Sequence, residues 1–370
     1  MRKSFVHSIA VAALAVASAG AAPAALAQGA LDFSGKPLAD DLPMGHAPGD
    51  PTYDMPAGQR LISAFGERPV FSPDGTKIAF IGHSYGDAFE YDLRTRKLRN
   101  LTAHMPHRGF LRVHYLNDGS YILLGPHDPA ATMEETRQKR IELFWLDREA
   151  SMPAVPLRAT VFEGLATSRL SNRIAWTENV PTGASRQDVK GTLLKTADVV
   201  VAGGMARLAN VTEVYTVTDC RAEAQDFLPG DKGVTMPCYN TDAAFKGGVR
   251  TQVLSIDLAS RAITRYPTPP QLYGEIEGIF PDGKHSLVEC SGDRGAGMDL
   301  CVLDLKPSAP NYTRITHIMD FGRWKYGNPV VSPDGRTIAS QVGSADVVDV
   351  GMGLGIVVID VPAGFPKAGS

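Results

Sequence analysis

Phe71-Ser72-Pro73-Asp74-Gly75-Thr76-Lys77-Ile78-Ala79-Phe80 and, far downstream, Val331-Ser332-Pro333-Asp334-Gly335-Arg336-Thr337-Ile338-Ala339-Ser340 are two copies of one hairpin. Proline presets φ early in the turn, aspartate bonds its own backbone, and glycine takes the positive φ that ends it. Weaker copies stand at Leu116-Asn117-Asp118-Gly119, Leu170-Ser171-Asn172-Arg173, Leu228-Pro229-Gly230-Asp231 and Phe280-Pro281-Asp282-Gly283, which makes six. After each turn comes a short apolar strand such as Tyr121-Ile122-Leu123-Leu124, a polar loop, and a third strand ending apolar-Asp-apolar. Tyr91-Asp92-Leu93, Ile256-Asp257-Leu258, Leu303-Asp304-Leu305 and Ile359-Asp360-Val361 carry that ending, with Leu146-Asp147-Arg148 and Ala197-Asp198-Val199 as looser versions. Most units add a fourth strand, for example Lys97 to Thr102, Ala262 to Tyr266 and Tyr312 to Thr316.

Four short antiparallel strands recurring at roughly 45 to 60 residues predict propeller blades rather than a sandwich or a solenoid. The fold expected is all-β, a six-bladed β-propeller over residues 59–362. Its last unit has three strands and no good fourth, while Gln59-Arg60-Leu61-Ile62-Ser63 has the alternation of a fourth strand. That segment is expected to join the final blade and close the ring, which removes the open edge. Residues 28–58 are then an extended arm and 363–370 a tail. A seventh blade built from residues 29 to 58 is disfavoured by their proline content.

These Ser-Pro-Asp-Gly-x-x-Ile-Ala turns followed by apolar-Asp-apolar strands resemble the TolB-like β-propeller repeat, a WD40-like unit of bacterial periplasmic proteins. The resemblance implies a module that binds a protein or peptide partner. It is expected to lack the separate α/β amino-terminal domain of the complete Tol-system protein, and to lack the hydrolase domain that follows such propellers in prolyl-oligopeptidase-like enzymes.

Export is read independently from residues 1–27. Arg2 and Lys3 precede an apolar, small-residue run from Val6 to Ala22, and Ala25-Leu26-Ala27 supplies a cleavage signature, so a signal peptide and a periplasmic or secreted location are expected. No later stretch is apolar enough to span a bilayer, so no membrane span is expected in the mature chain. With 37 basic and 40 acidic residues the net charge is −3, which argues against nucleic acid as a partner. Four cysteines in an exported chain are expected to pair. Blade positions select Cys220–Cys238 and Cys290–Cys301 among the three possible pairings.

Candidate function lies on the rim opposite the Asp-Gly turns, here called the mouth, where the loops after second strands and between blades open. His83 and His127 end second strands, His104 and His107 lie between blades one and two, and His114 falls in the strand that follows. Phe321-Gly322-Arg323-Trp324-Lys325-Tyr326 joins blades five and six, with Asp293-Arg294 and Glu275/Glu277 in neighbouring loops. Arginine and aromatic residues make good anchors for a protein or glycan. The binding set expected at the mouth is therefore His83, His104, His107, His127, Asp293, Arg294, Arg323 and Trp324.

An alternative is a metal-dependent polysaccharide lyase resembling oligogalacturonate lyase, with His83, His104, His107 and His127 as the candidate ligands. Their spacing matches no standard zinc motif, and no catalytic residue, resident metal or cofactor is assigned. Gly82-His83-Ser84-Tyr85-Gly86 fits GxSxG, but a nucleophile elbow needs a following helix and a third blade strand is expected there. The polar stretch Ala131 to Arg140 reads as a helical, solvated insertion over blade two.

Overall fold

The Ser72–Gly75 turn is closed by its own side chains. Ser72 Oγ donates to Asp74 Oδ1 at 2.6 Å, the same oxygen accepts from the Thr76 amide at 3.0 Å, and Ser72 Oγ accepts from the Lys77 amide at 3.0 Å. Gly75 takes φ +71°, which a side chain rarely adopts. Ser332, Asp334, Arg336 and Thr337 repeat these bonds at 2.6, 3.0 and 3.0 Å, with Gly335 at φ 72°. The apolar-Asp-apolar ending also has a physical cause. Asp92 caps the next turn by accepting from the Arg94 and Thr95 amides, and Asp257 does the same for Ala259 and Ser260. The following residue donates its amide to the first turn of the same blade: Leu93 to Thr76, Val199 to Asn172, Leu258 to Lys232, Leu305 to Lys284 and Val361 to Arg336.

These local units assemble into six sheets. The computed structural model describes residues 47–180, 191–241, 248–270, 272–292, 297–344 and 353–362; the expected signal peptide, most of the arm and the tail lie outside them. The first strand, β1 (Gln59–Ser63), belongs to the last blade. Blade one is β2 (Glu67–Phe71), β3 (Lys77–Ile81), β4 (Ala88–Asp92) and β5 (Leu98–Asn100). Blade two is β6 (Arg112–Tyr115), β7 (Tyr121–Pro126), β8 (Ile141–Leu146) and β9 (Val155–Thr160). Blade three is β10 (Leu165–Thr167), β11 (Arg173–Val180), β12 (Gly191–Ala202) and β13 (Met205–Val217). Blade four has its inner strand in two pieces, β14 (Arg221–Ala222) and β15 (Asp226–Phe227), then β16 (Gly233–Thr241), β17 (Val249–Asp257) and β18 (Ile263–Tyr266). Blade five is β19 (Tyr273–Ile279), β20 (His285–Ser291), β21 (Asp299–Asp304) and β22 (Tyr312–Arg314). Blade six is β23 (Trp324–Val331), β24 (Thr337–Ser344) and β25 (Gly355–Asp360), with β1 outermost.

Ring closure is by β1 on β25, antiparallel, with Gln59 opposite Ile359 and Leu61 opposite Val357. β12 runs past Asp198 to Ala202, so the looser Ala-Asp-Val version does not end its strand. Apolar side chains are gathered at each blade junction. Ala79, Phe110 and Leu123 pack between blades one and two, for example, and Phe80, Ile356 and Val358 between blades one and six. The inner strands β2, β6, β10, β15, β19 and β23 contact one another in succession and return to β2, enclosing a central channel.

Both expected disulfides are present. Cys220–Cys238 ties the start of the inner strand of blade four to its second strand, and Cys290–Cys301 links β20 to β21, with Cα separations of 5.5 and 5.8 Å. Such pairs suit an extracytoplasmic compartment. No described helix is long and apolar enough to cross a membrane.

Candidate functional site

The channel wall is charged because the inner strands break regularity there. In β2 the pairing register slips between Glu67 and Val70, with Arg68 at φ 53°; in β23 it slips between Gly327 and Val330, with Asn328 at φ 46°. β19 slips between Ile276 and Ile279, around Glu277, and in blade four the interruption between β14 and β15 carries Glu223. A bulge re-aims a side chain that strict alternation would place elsewhere. Arg68, Asn328 and Glu277 all line one cavity of about 330 Å³ at the propeller axis.

The channel charge is unevenly spread over the blades. Arg68 and Arg112 come from blades one and two, whereas Glu223, Glu275, Glu277 and Glu289 come from blades four and five. Glu67, wholly buried, pairs with Arg68 Nη1 at 2.8 Å, and the same nitrogen donates to Ser84 Oγ at 2.9 Å. Glu275 accepts from the hydroxyls of Tyr239 and Tyr273. Glu289 accepts from the Asn328 amide at 2.5 Å, which fixes the blade-six bulge.

Burial and crowding of like charge set the protonation states. The Glu223 carboxyl is pushed up to about 8, first by burial and then by Glu163 and Glu275. Glu277 is also held well above the usual carboxylate range, by burial and by Glu275 and Glu289. His114 is lowered to about 3 by burial and by the Arg112 guanidinium, so its imidazole is neutral. Among the described residues, one oxygen of each of Glu275, Glu277 and Glu289 can lie within 4.8 Å of the others, close enough for the three to hold a cation.

The cavity opens away from the expected face. It is bordered by Ser72, Pro73, Asn117, Ser168 and Pro333, residues of the Asp-Gly turns, so it faces their rim. At the mouth end lies the helix α1 (Met133–Lys139), with Thr132 as its N-cap. It is helical as expected but not simply solvated: Thr136 and Gln138 are buried and Arg137 pairs with Glu163. Gln138 accepts from Asn179 of blade three through its carbonyl and from Arg221 of blade four through its side chain, at 2.9 and 2.8 Å. The stretch is polar because it packs on a polar channel end.

The expected site residues do not form one cluster. His83 is exposed and bonds the Ser84 carbonyl at 3.0 Å, His104 meets the Met152 carbonyl at 3.1 Å, and His127 is exposed just beyond β7. His107 Nε2 lies 2.8 Å from Asp87, while its Nδ1 accepts from the Gly109 amide. None of these imidazoles belongs to a potential metal-binding group among the described residues. Arg323 is exposed and Trp324 half-buried at the start of β23, packed on the blade-six core; Asp293 and Arg294 lie outside the described residues. Glu275 and Glu277 belong to the inner strand β19 rather than to a loop. Gly82 to Gly86 joins two strands, β3 and β4, and Ser84 serves as acceptor for Arg68.

A signal for the channel was present in the repeat. Arg68, Arg112, Glu223 and Asn328 each stand seven residues before the glycine of their turn, at Gly75, Gly119, Gly230 and Gly335. Polar residues at one fixed offset in otherwise apolar inner strands mark the axis of the ring.

No protein-family model and no curated protein matches this sequence. Solved structures similar to it include a TolB of Agrobacterium tumefaciens, at 16% identity over 70% of this chain and 78% of that one, with a TM-score of 0.49. TolB of Acinetobacter baumannii is 13% identical over 82% of this chain and 64% of that one, with a TM-score of 0.45. An oligogalacturonate lyase in complex with manganese is 14% identical over 80% and 78%, with a TM-score of 0.47. The six-bladed architecture rests on the sheets described above, and no activity is carried over from these structures.

Proposed function

We propose that this chain is an exported, non-enzymatic propeller that binds a protein or peptide partner on its mouth face. The observation that supports this most is α1, which bonds to blades three and four at that end, while the small cavity opens on the other rim. Arg323 and Trp324 are the proposed anchors, one exposed guanidinium beside one half-buried ring, a pairing common at binding hot spots. The amino-terminal signal and the disulfides support a periplasmic or secreted setting.

The test is cross-linking and capture with the mature chain, residue 28 onward, from an extracytoplasmic fraction, followed by affinity measurement with the partner found. Arg323→Ala and Trp324→Ala are each expected to weaken binding by about tenfold or more. Undiminished binding by both variants removes the mouth anchors, and failure to capture any protein or peptide sinks the reading itself.

A further inference from the structure

Two buried ionisable side chains in the channel, Arg112 and Glu277, have no hydrogen-bond partner among the described residues. Arg112 is 8% exposed, its Nε has no acceptor, and its one ion pair is a 4.0 Å approach to Glu223. Glu277 is 6% exposed and makes neither a hydrogen bond nor an ion pair, with Arg112 or any other described residue. Both line the cavity at the axis, Arg112 from blade two and Glu277 from blade five. Other cavity charges are committed: Arg68 to Glu67 and Ser84, and Arg169 to Asp226 at 2.8 Å. A buried polar group without a partner is costly, and a fold that keeps a guanidinium and a carboxyl unbonded on one cavity reserves them for something that fills it.

We infer that this cavity binds a small zwitterion, with the ligand carboxylate on Arg112 and its ammonium on Glu277. Neither sign alone suits the wall. A simple anion would satisfy Arg112 and leave Glu277 without a partner, and a simple cation on Glu277 would face the guanidinium of Arg112. A molecule carrying both charges satisfies both groups, and the guanidinium fork suits a carboxylate. The volume of about 330 Å³ lies at the small end of ligand sites and sets the size near that of one amino acid. Entry is from the Asp-Gly rim, past Pro73 and Pro333. Burial and the neighbouring Glu275 and Glu289 shift Glu277 towards its protonated form, and an arriving ammonium shifts it back, so binding is expected to release a proton.

This inference does not depend on the protein-binding reading, whose anchors lie on the other face. Titration calorimetry on the mature protein would use glycine, β-alanine, γ-aminobutyrate and lysine as probes, with acetate and methylamine as single-charge controls. Runs in two buffers of different ionisation enthalpy would count protons released. At least one amino acid is expected to bind with a stoichiometry of about one, about tenfold or more tighter than either control, and with proton release. Arg112→Gln and Glu277→Gln should each cost about tenfold, and E277Q should abolish the proton release while circular dichroism shows the fold intact. If R112Q does not fold, Arg112→Lys carries the test: it keeps the charge but not the fork, and should bind more weakly than the parent. No binding by any of the four probes, equal binding by the controls, or binding indifferent to both positions overturns the inference.

Discussion

At the turn end of each inner strand the molecule repeats itself, and seven residues earlier it does not. Ser72–Asp74–Thr76 and Ser332–Asp334–Arg336 share the serine and amide bonds to aspartate at the same distances. The position facing the channel holds Arg68, Arg112, Glu223 or Asn328 according to the blade. The turn solves a problem every blade has, how to reverse the chain and keep its backbone bonded. The channel position meets a different neighbour in each blade, so its residue is set by the ring as a whole. Uniformity in this chain marks architecture, and variation at a fixed offset marks the place where chemistry is concentrated.

The largest test of that contrast is on the channel side. Removing one partner of the buried Glu67–Arg68 pair by Glu67→Ala leaves a guanidinium with Ser84 as its remaining side-chain partner and should cost about 3–5 kcal/mol in urea unfolding. A loss as small as that of an exposed ion pair would mean that the channel wall contributes nothing to stability.

Next come the staples. Both disulfides lie in blades four and five, away from the two strongest turn copies, and opening Cys220–Cys238 by paired serine substitution should cost about 3 kcal/mol for its closed loop. The same change measured under reducing conditions should have no effect.

Protonation gives a third, opposite in sign to the turns. Glu223 has its folded pKa raised to about 8, above its ordinary value of 4.5, so the folded state binds the extra proton. Its contribution is fully present below the ordinary value and is lost as pH rises towards 8, and Glu223→Gln should flatten unfolding curves over that window. Asp74 and Asp334 behave the other way. Burial acts to raise each carboxyl, but donation from Ser72 or Ser332 and from the next amides outweighs it and holds the pKa below the usual range. Their stability is present above the ordinary aspartate value and disappears as pH falls through the lowered one.

The smallest effect sharpens the claim that the turns are equivalent. Asp74→Ala and Asp334→Ala should each cost about 1 kcal/mol, with Asp74→Ala slightly the larger because Asp74 also accepts from Thr76 Oγ1 at 2.8 Å. A clearly larger loss at Asp334 would show that blade position, not turn chemistry, sets their worth.

Blade number, the first and third turns of each blade and the disulfide partners were legible in the residues themselves. Proline, aspartate and glycine act on their own backbone, and strand alternation has a period of two, so the information is local. Closure by Gln59–Ser63 was legible for a related reason: the last blade lacked a strand and the first lines of the chain supplied one. The channel was not read, although its offset was written in the repeat. Glu275 and Glu277 read as loop residues because alternation fails just after Glu275, at the bulge that carries Glu277. The histidines looked like a cluster because they are near in sequence, yet His104 and His107 spend their ring nitrogens on Met152 and Asp87.

By itself, then, the sequence determined a ring of six similar blades, because each blade is made by contacts within a few dozen residues. Only the tertiary structure decided which side chains meet at the axis and which rim the cavity faces. Those relations join residues from all six blades, and they exist only once β1 has paired with β25 and the inner strands surround a common channel.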